Sequence, residues 1–189
     1  MIQASFDSDI VDLKSFYKSI RMQQEKAHGE FYCAHHDLIQ KYLPKNGSYK
    51  ELGTHQGATA AAALLHNPKK MHLVDLSFTL FDATAKDIFE RHCIEHNITL
   101  TKTQCSSVDS VSVNGEHDIL LIDSYHIRPH MEKELALHHK YITSHIIFHD
   151  TVAVPSLLEG IQHFCLTNPW RIVEHIQYNV GSTAIERIR

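Results

Sequence analysis

Four consecutive apolar residues, Ile119-Leu120-Leu121-Ile122, constrain this chain more than any other segment; they close on Asp123 within the stretch EHDILLIDS. Side chains alternate across a β-strand, so a strand apolar at every position has no face to offer to water. Such a strand belongs in the middle of a parallel sheet with helices over both faces. The surrounding sequence supplies the alternation of strands and helices that this arrangement requires.

From Ser48 onward the pattern reads as strand SYKELG, an Ala-rich helix ATAAAALLH, strand MHLVDLS, and an amphipathic helix from Leu80 to His96. Strand ITLTKTQCS follows, then the central EHDILLIDS, a helix from Arg128 to Tyr141, and strand SHIIFHDT. Pro155 opens a helix running to about Leu166, where its fixed φ suits the first turn. Strands around Trp170–Gln177 and Thr183–Ile188 flank a short turn at Asn179–Gly181, which predicts a hairpin and an antiparallel last strand. Two helices come first. One runs from Asp9 to Ala27 with Ile10, Leu13, Phe16, Tyr17 and Ile20 on a stripe. The other covers Phe31 to Tyr42 and stops at Leu43-Pro44, because a residue before proline avoids the α region. The expected architecture is a doubly wound α/β domain over 1–189, with a mostly parallel seven-stranded Rossmann-like sheet. Residues 1–44 would form a lid and 45–189 the α/β core.

Composition narrows the function classes. A length of 189 residues suits one domain, and a hydrophobic fraction of 43% is that of an ordinary globular protein. Net charge is −4 and no run of Lys or Arg exceeds Lys69-Lys70, which argues against nucleic-acid and membrane partners. The first residues carry acids where a secretory signal needs bases, and no apolar run reaches the ~20 residues of a membrane span. Four scattered cysteines (Cys33, Cys93, Cys105, Cys165) without a CxxC pair read as free thiols of a cytoplasmic protein. The 17 histidines are spread along the chain and do not repeat a metal-ligand spacing.

Ligands of an open α/β sheet bind beyond the carboxyl ends of the strands. Here those ends are Glu51-Leu52-Gly53, Asp75, Cys105-Ser106-Ser107, Asp123 and His149-Asp150. Carboxylates gathered at one sheet edge repel one another, so stability alone does not favour them. Gly53 and Gly57 bracket a turn that feeds a helix, where glycine permits positive φ and close approach of a ligand. Asp75 lies 18 residues beyond Gly57, at the end of strand two, where a carboxylate can accept both hydroxyls of a ribose. The plainer alternative is a tight βα turn with Asp75 capping the next helix. The turn Gly53-Thr54-His55-Gln56-Gly57 lacks the central glycine of GxGxxG, which a pyrophosphate needs, so it suits a cofactor without phosphate.

Taken in order, ELGTHQG, HLVDLS, LLIDSYH and IIFHDT resemble the class I S-adenosylmethionine-dependent methyltransferases. The similarity is greatest to the small-molecule and sugar O-methyltransferase branch whose fifth strand ends in His-Asp-Thr, and it covers Ser48 to Thr151. The resemblance implies that Glu51 and Gly53 lie beside the methionine part, Asp75 holds the ribose, and Ser106 and Ser107 lie near the adenine, with Thr54, Gly57 and Asp123 also cofactor-binding. Family members often carry an acid after strand three; only Asp109 is close here.

Methyl transfer to a hydroxyl needs an aligned nucleophile and removal of its proton. His126, His149 and Asp150 fall by topology beside the cofactor position and are the catalytic candidates. In one arrangement, implied by the resemblance, Asp123 and Asp150, with or without His149, bind Mg2+ or another divalent cation. In another, His126 or His149 is a metal-free base; in a third, His149-Asp150 is a structural pair and His126 a loop residue. Phe31, Tyr32 and His35-His36 would form the acceptor lid, while Trp170 and Phe164 read as core and Tyr125 as an unremarkable loop residue. The expected acceptor is a small molecule or sugar, and a homodimer is compatible with this reading. An NAD-type oxidoreductase and a non-catalytic cofactor-binding module are the rivals.

Overall fold

The computed structural model describes residues 10–109 and 115–188. Helices α1 (Leu13–His28) and α2 (Ala34–Tyr42) precede strand β1 (Ser48–Leu52), helix α3 (Ala58–Leu64) and strand β2 (Lys70–Asp75). Helices α4 (Thr79–Thr84) and α5 (Lys86–His96), strands β3 (Thr99–Gln104) and β4 (His117–Ile122), and helix α6 (Arg128–His138) follow. A 3-10 turn (His139–Tyr141) leads into β5 (Ile142–His149), then α7 (Pro155–Thr167) and the hairpin β6 (Trp170–Ile176) and β7 (Ser182–Arg187).

The strands form one sheet in the order β3-β2-β1-β4-β5-β7-β6. Strands β1 to β5 run parallel, and β7 is antiparallel to both of its neighbours, as the terminal turn predicts. The strand order reverses between β1 and β4, which leaves a crevice beyond their carboxyl ends.

The central strand explains why the sheet is doubly covered. Ile119 and Leu121 join a core with Leu13, Phe16, Ile20, Leu38, Ile39, Ala61 and Phe89 from α1, α2, α3 and α5. Leu120 and Ile122 join the opposite core with Met131, Leu135, Leu157 and Ile161 from α6 and α7. Each such side chain contributes about 1.5–3 kcal/mol by leaving water. Trp170 is buried in the second core and Phe164 packs against it, as expected.

Element boundaries shift for local reasons. The expected start of α1 at Asp9 lies outside the described residues. Helix α1 begins at Leu13 because Asp12 and Ser15 form a capping box: Ser15 N–H donates to Asp12 Oδ1 (2.7 Å) and Asp12 N–H to Ser15 Oγ (3.1 Å). Helix α2 begins at Ala34, not Phe31, since Phe31 has φ 65. The helix expected from Leu80 to His96 is two helices broken at Ala85 (φ −121). The break seats Phe81 and Ala85 against Gly57, where a Cβ would come within 2.9 Å of the Phe81 ring. Among the described residues no helix is long and apolar enough to cross a membrane.

Candidate active site

A cavity of about 640 Å3 opens in the crevice at the strand-order reversal. Its wall draws Gly53, Thr54, His55 and Gln56 from the turn after β1, Asp75 and Leu76 from the end of β2, and Cys105, Ser106 and Ser107 from the end of β3. Asp123 through His126 follow β4, His149 ends β5, Gln24 and His35 come from α1 and α2, and Tyr32 comes from the turn between them.

The glycine turn is shaped by its neighbours. Gly53 has φ 92, and a Cβ there would overlap the Asp123 carbonyl oxygen, so only glycine lets β1 and β4 approach at their ends. Gly57 (φ 84) is the N-cap of α3 and lies outside the cavity wall. Asp75 fastens the turn: its Oδ2 accepts the N–H groups of Thr54 (2.7 Å) and His55 (2.8 Å), and its Oδ1 accepts that of Ser77 (3.0 Å). A carboxylate with two oxygens has about four acceptor positions, so one remains after these three bonds.

Glu51 is placed differently from the position expected beside the methionine part. It is fully buried and absent from the cavity wall. The Tyr49 hydroxyl donates to its Oε2 at 2.5 Å, and burial pushes its pKa up to about 8. Burial thus favours the neutral form of Glu51, which props the turn from within.

The histidines and acids expected at the ends of β4 and β5 do come together. His149 Nδ1 stands 3.1 Å from Asp123 Oδ1 and 3.7 Å from Asp150 Oδ1, while its Nε2 is buried without a hydrogen-bond partner. Burial lowers the His149 pKa, but the Asp123 carboxylate more than offsets this and the net shift is upward. Burial likewise raises that of Asp123, yet His149 and His126 pull it well below the usual range. The two successive residues His149 and Asp150 reach one cluster because Asp150 has φ 59, which breaks the strand alternation.

His126 lies between the acids. Its Nε2 is 3.1 Å from Asp123 Oδ1 and its Nδ1 is 2.6 Å from Asp150 Oδ2, and these contacts push its pKa up to about 10. The upward shift disfavours His126 as the general base that the sequence allowed it to be. The His126 ring stands between Asp123 and Asp150, the two acids expected to hold a divalent cation, so an ion there would take the ring as a third ligand or displace it. The sets Asp123/His126/Asp150 and His35/Asp123/His149 each bring ligand atoms within 4.8 Å of one another. Both depend on the Asp123 carboxylate, which already accepts two histidines.

Of the lid candidates, Tyr32 and His35 line the cavity, whereas Phe31 packs on Tyr178 and His36 is sealed in the core beside Tyr17. Tyr125, unremarkable in sequence, is part of the wall. His130 reads in the sequence only as part of the helix start Arg128-Pro129-His130, which could have met a phosphate or sulfate. It lines the cavity, with Nε2 2.9 Å from Ser107 Oγ and 3.4 Å from Oε1 of the buried Glu134, the same oxygen that accepts from the Ser124 hydroxyl. The i,i+4 spacing of His130 and Glu134 was the available signal. Ser107 is therefore held at the cavity edge from α6, with Ser106 beside it.

No protein-family model matches the chain, and no curated protein matches it by sequence. Solved structures do match. A Staphylococcus aureus protein described provisionally as a caffeoyl-CoA O-methyltransferase is 12% identical with a TM-score of 0.66, covering 90% of this chain and 91% of that one. The O-methyltransferase TomG of Streptomyces achromogenes, solved with S-adenosylmethionine, is 11% identical with a TM-score of 0.62 over 100% of this chain and 93% of its own. A Clostridium thermocellum protein described provisionally as an rRNA methylase is 10% identical with a TM-score of 0.64, covering 82% and 93%. The chain has the Rossmann-like fold of the class I methyltransferases. The expected exclusion of nucleic-acid partners is overturned, because this fold also serves chains described as RNA methylases. Overall charge is a poor discriminator here, since a fold that needs only a small local contact face carries no obligatory basic surface.

Proposed function

We propose that this protein is an S-adenosylmethionine-dependent methyltransferase acting on a hydroxyl oxygen of a small molecule or sugar. The observation that carries this reading is one cavity joining the Gly53 turn and Asp75 to a histidine oriented by Asp123. Its residues suit a phosphate-free cofactor: none of the described wall residues is Lys or Arg, the usual partners of a pyrophosphate.

Bound S-adenosylmethionine would supply an electrophilic methyl group on a sulfonium. Gly53 and Thr54 would bound its amino-acid part, the remaining acceptor of Asp75 its ribose, and Ser106 and Ser107 its adenine side. Asp123 fixes His149 with Nδ1–H donating, which leaves Nε2 to take the acceptor hydroxyl proton as the oxygen–methyl bond forms. Tyr32, His35 and Gln24 line the cavity from the N-terminal side, where they would limit water around the reacting atoms. Unpaired thiols at all four cysteines suit a cytoplasmic setting.

The test has two stages. Calorimetric titration should give S-adenosylhomocysteine binding and none for NADH; the reverse would sink the proposal in favour of an oxidoreductase. Transfer of a labelled methyl is then assayed against hydroxylated small molecules, sugars and RNA. His149→Ala should abolish transfer while cofactor binding survives. Transfer to RNA alone would overturn the acceptor class, and binding without any transfer would leave a cofactor-binding module.

A further inference from the structure

We infer that Asn179, in the turn between β6 and β7, is a positioning residue for the cavity: its side chain latches the turn between α1 and α2 and so sets Tyr32 against His149. The hydrogen bonds carry this. Asn179 Nδ2 stands 2.9 Å from the His28 carbonyl oxygen and 3.0 Å from that of Glu30. Carbonyl oxygens only accept, so the amide nitrogen faces the turn and both of its hydrogens are committed there. Gly29 lies between the two acceptors, and a Cβ on it would come within 3.2 Å of the same nitrogen. Beside this contact the Phe31 ring packs on Tyr178, with centroids 5.4 Å apart.

The latched turn has little else to hold its shape. Gly29 has φ 97 and Phe31 has φ 65, and a bulky residue in the left-handed region persists only where surrounding contacts impose it. Asn179 itself has φ 55, which asparagine tolerates better than most residues. Within the turn, the Tyr32 N–H reaches the Gly29 carbonyl at 3.3 Å, longer than the usual ~3 Å. Tyr32 follows Phe31 directly; its ring stacks on His28 at 4.4 Å and stands edge-on to His149 at 5.4 Å. The other side of the hairpin turn is fixed to the chain just after His149 and Asp150. There the N–H groups of Val152 and Ala153 donate to the Val180 carbonyl at 2.8 and 2.9 Å, and Gly181 leaves no room for a Cβ beside Val152. The hairpin turn thus bridges the segment that carries His149 and the segment that carries Tyr32, and the Asn179 amide is its grip on the second.

That Tyr32 bounds the acceptor rests on the methyltransferase reading; the latch does not. The full-length protein is labelled with 3-fluorotyrosine, and Tyr32→Phe identifies the Tyr32 signal in its 19F spectrum. Asn179→Asp keeps the size of the side chain but, ionised, has no hydrogen to give. Asn179→Gly keeps the left-handed backbone and removes the side chain. Both variants should move the Tyr32 signal toward that of an exposed tyrosine. Both should also speed amide hydrogen exchange across residues 29–33 by roughly tenfold or more, for two hydrogen bonds lost, with exchange in β4 unchanged. A Tyr32 signal and exchange rates unmoved in both variants overturn the inference. So does an effect in Asn179→Asp alone, which would trace to a carboxylate repelled by carbonyl oxygens. Should neither variant fold, hydrogen exchange of the wild type in mild urea decides. The Tyr32 and Gly181 amides opening together supports the latch, and residues 29–33 exchanging freely beside a protected hairpin turn overturns it. S-adenosylhomocysteine binding is measured on the same samples: a wild type that binds none would sink the methyltransferase reading and leave the latch in place.

Discussion

His149 Nδ1 meets Asp123 Oδ1 at 3.1 Å across the neighbouring parallel strands β4 and β5. That contact fixes which nitrogen is free and raises the ring's pKa against the opposing effect of burial. A base must be unprotonated, so kcat/KM should rise with pH through a pKa above the ordinary histidine value and then level off. Asp123→Asn removes the carboxylate and leaves burial, so the rise should move to lower pH as the plateau falls. His149→Gln should cost about 10²–10⁴-fold. A flat pH profile of kcat/KM in the wild type would rule out His149 as the base.

Glu51 makes a stability prediction independent of activity. Its pKa is about 8 in the fold against an ordinary 4.5, raised by burial. The native state therefore binds the proton more tightly than the unfolded chain, and stability falls as pH rises from about 4.5 to about 8. The effect is on the order of a few kcal/mol at 1.36 kcal/mol per pH unit. Glu51→Gln retains a carbonyl acceptor for Tyr49 and has no proton to lose. Urea denaturation at pH 5 and pH 8 should show the variant gaining on the wild type at the higher pH. Parallel pH dependences for the two proteins would refute a buried neutral Glu51.

Much of this was legible in the sequence because it depends on period and position. Ile119–Ile122 announces a doubly covered strand, and Gly53, Asp75, Asp123 and His149 follow from the rule that strand ends face the ligand. What escaped depends on tertiary contact. The break at Ala85 answers to Gly57, which is distant in sequence, and no local signal opposes a continuous helix there. Glu51 reads as a site carboxylate until its burial with Tyr49 is seen. His126 could be placed near the acids by topology, but its position between them needed the backbone of Asp150. Net charge is a property of the whole surface, which is why it failed to decide the acceptor class.

Gly53→Ala should be among the most damaging small substitutions. The position has φ 92 and its missing Cβ leaves room for the carbonyl oxygen of Asp123, which directly follows the central strand β4, is tied to Leu52 through its N–H, and cannot retreat cheaply. Backbone strain of about 1–3 kcal/mol adds to that clash. Thermal unfolding should show a large drop, with S-adenosylhomocysteine affinity reduced in whatever fraction folds. An alanine variant with wild-type melting and binding would mean that β1 and β4 separate more freely than their packing indicates.

Asp75 offers a way to separate turn architecture from ligand binding. Oδ2 alone accepts the two N–H groups of the turn, Thr54 and His55, while Oδ1 accepts Ser77. Asp75→Asn can keep its carbonyl oxygen toward the turn, losing the charge and the second acceptor. Asp75→Ala loses both and leaves the turn amides without their partner. Hydrogen bonds to a charged group contribute about 1.5–3 kcal/mol each, so Asp75→Ala should lose clearly more stability than Asp75→Asn by urea denaturation. Cofactor binding should follow a different pattern. If the remaining acceptor of Asp75 receives a ribose hydroxyl, both variants should bind S-adenosylhomocysteine weakly, by roughly tenfold or more for the hydrogen bond lost. Should Asp75→Asn bind as the wild type does while Asp75→Ala is merely less stable, Asp75 would be a turn fastener only, and the ribose would have to be held elsewhere on the cavity wall.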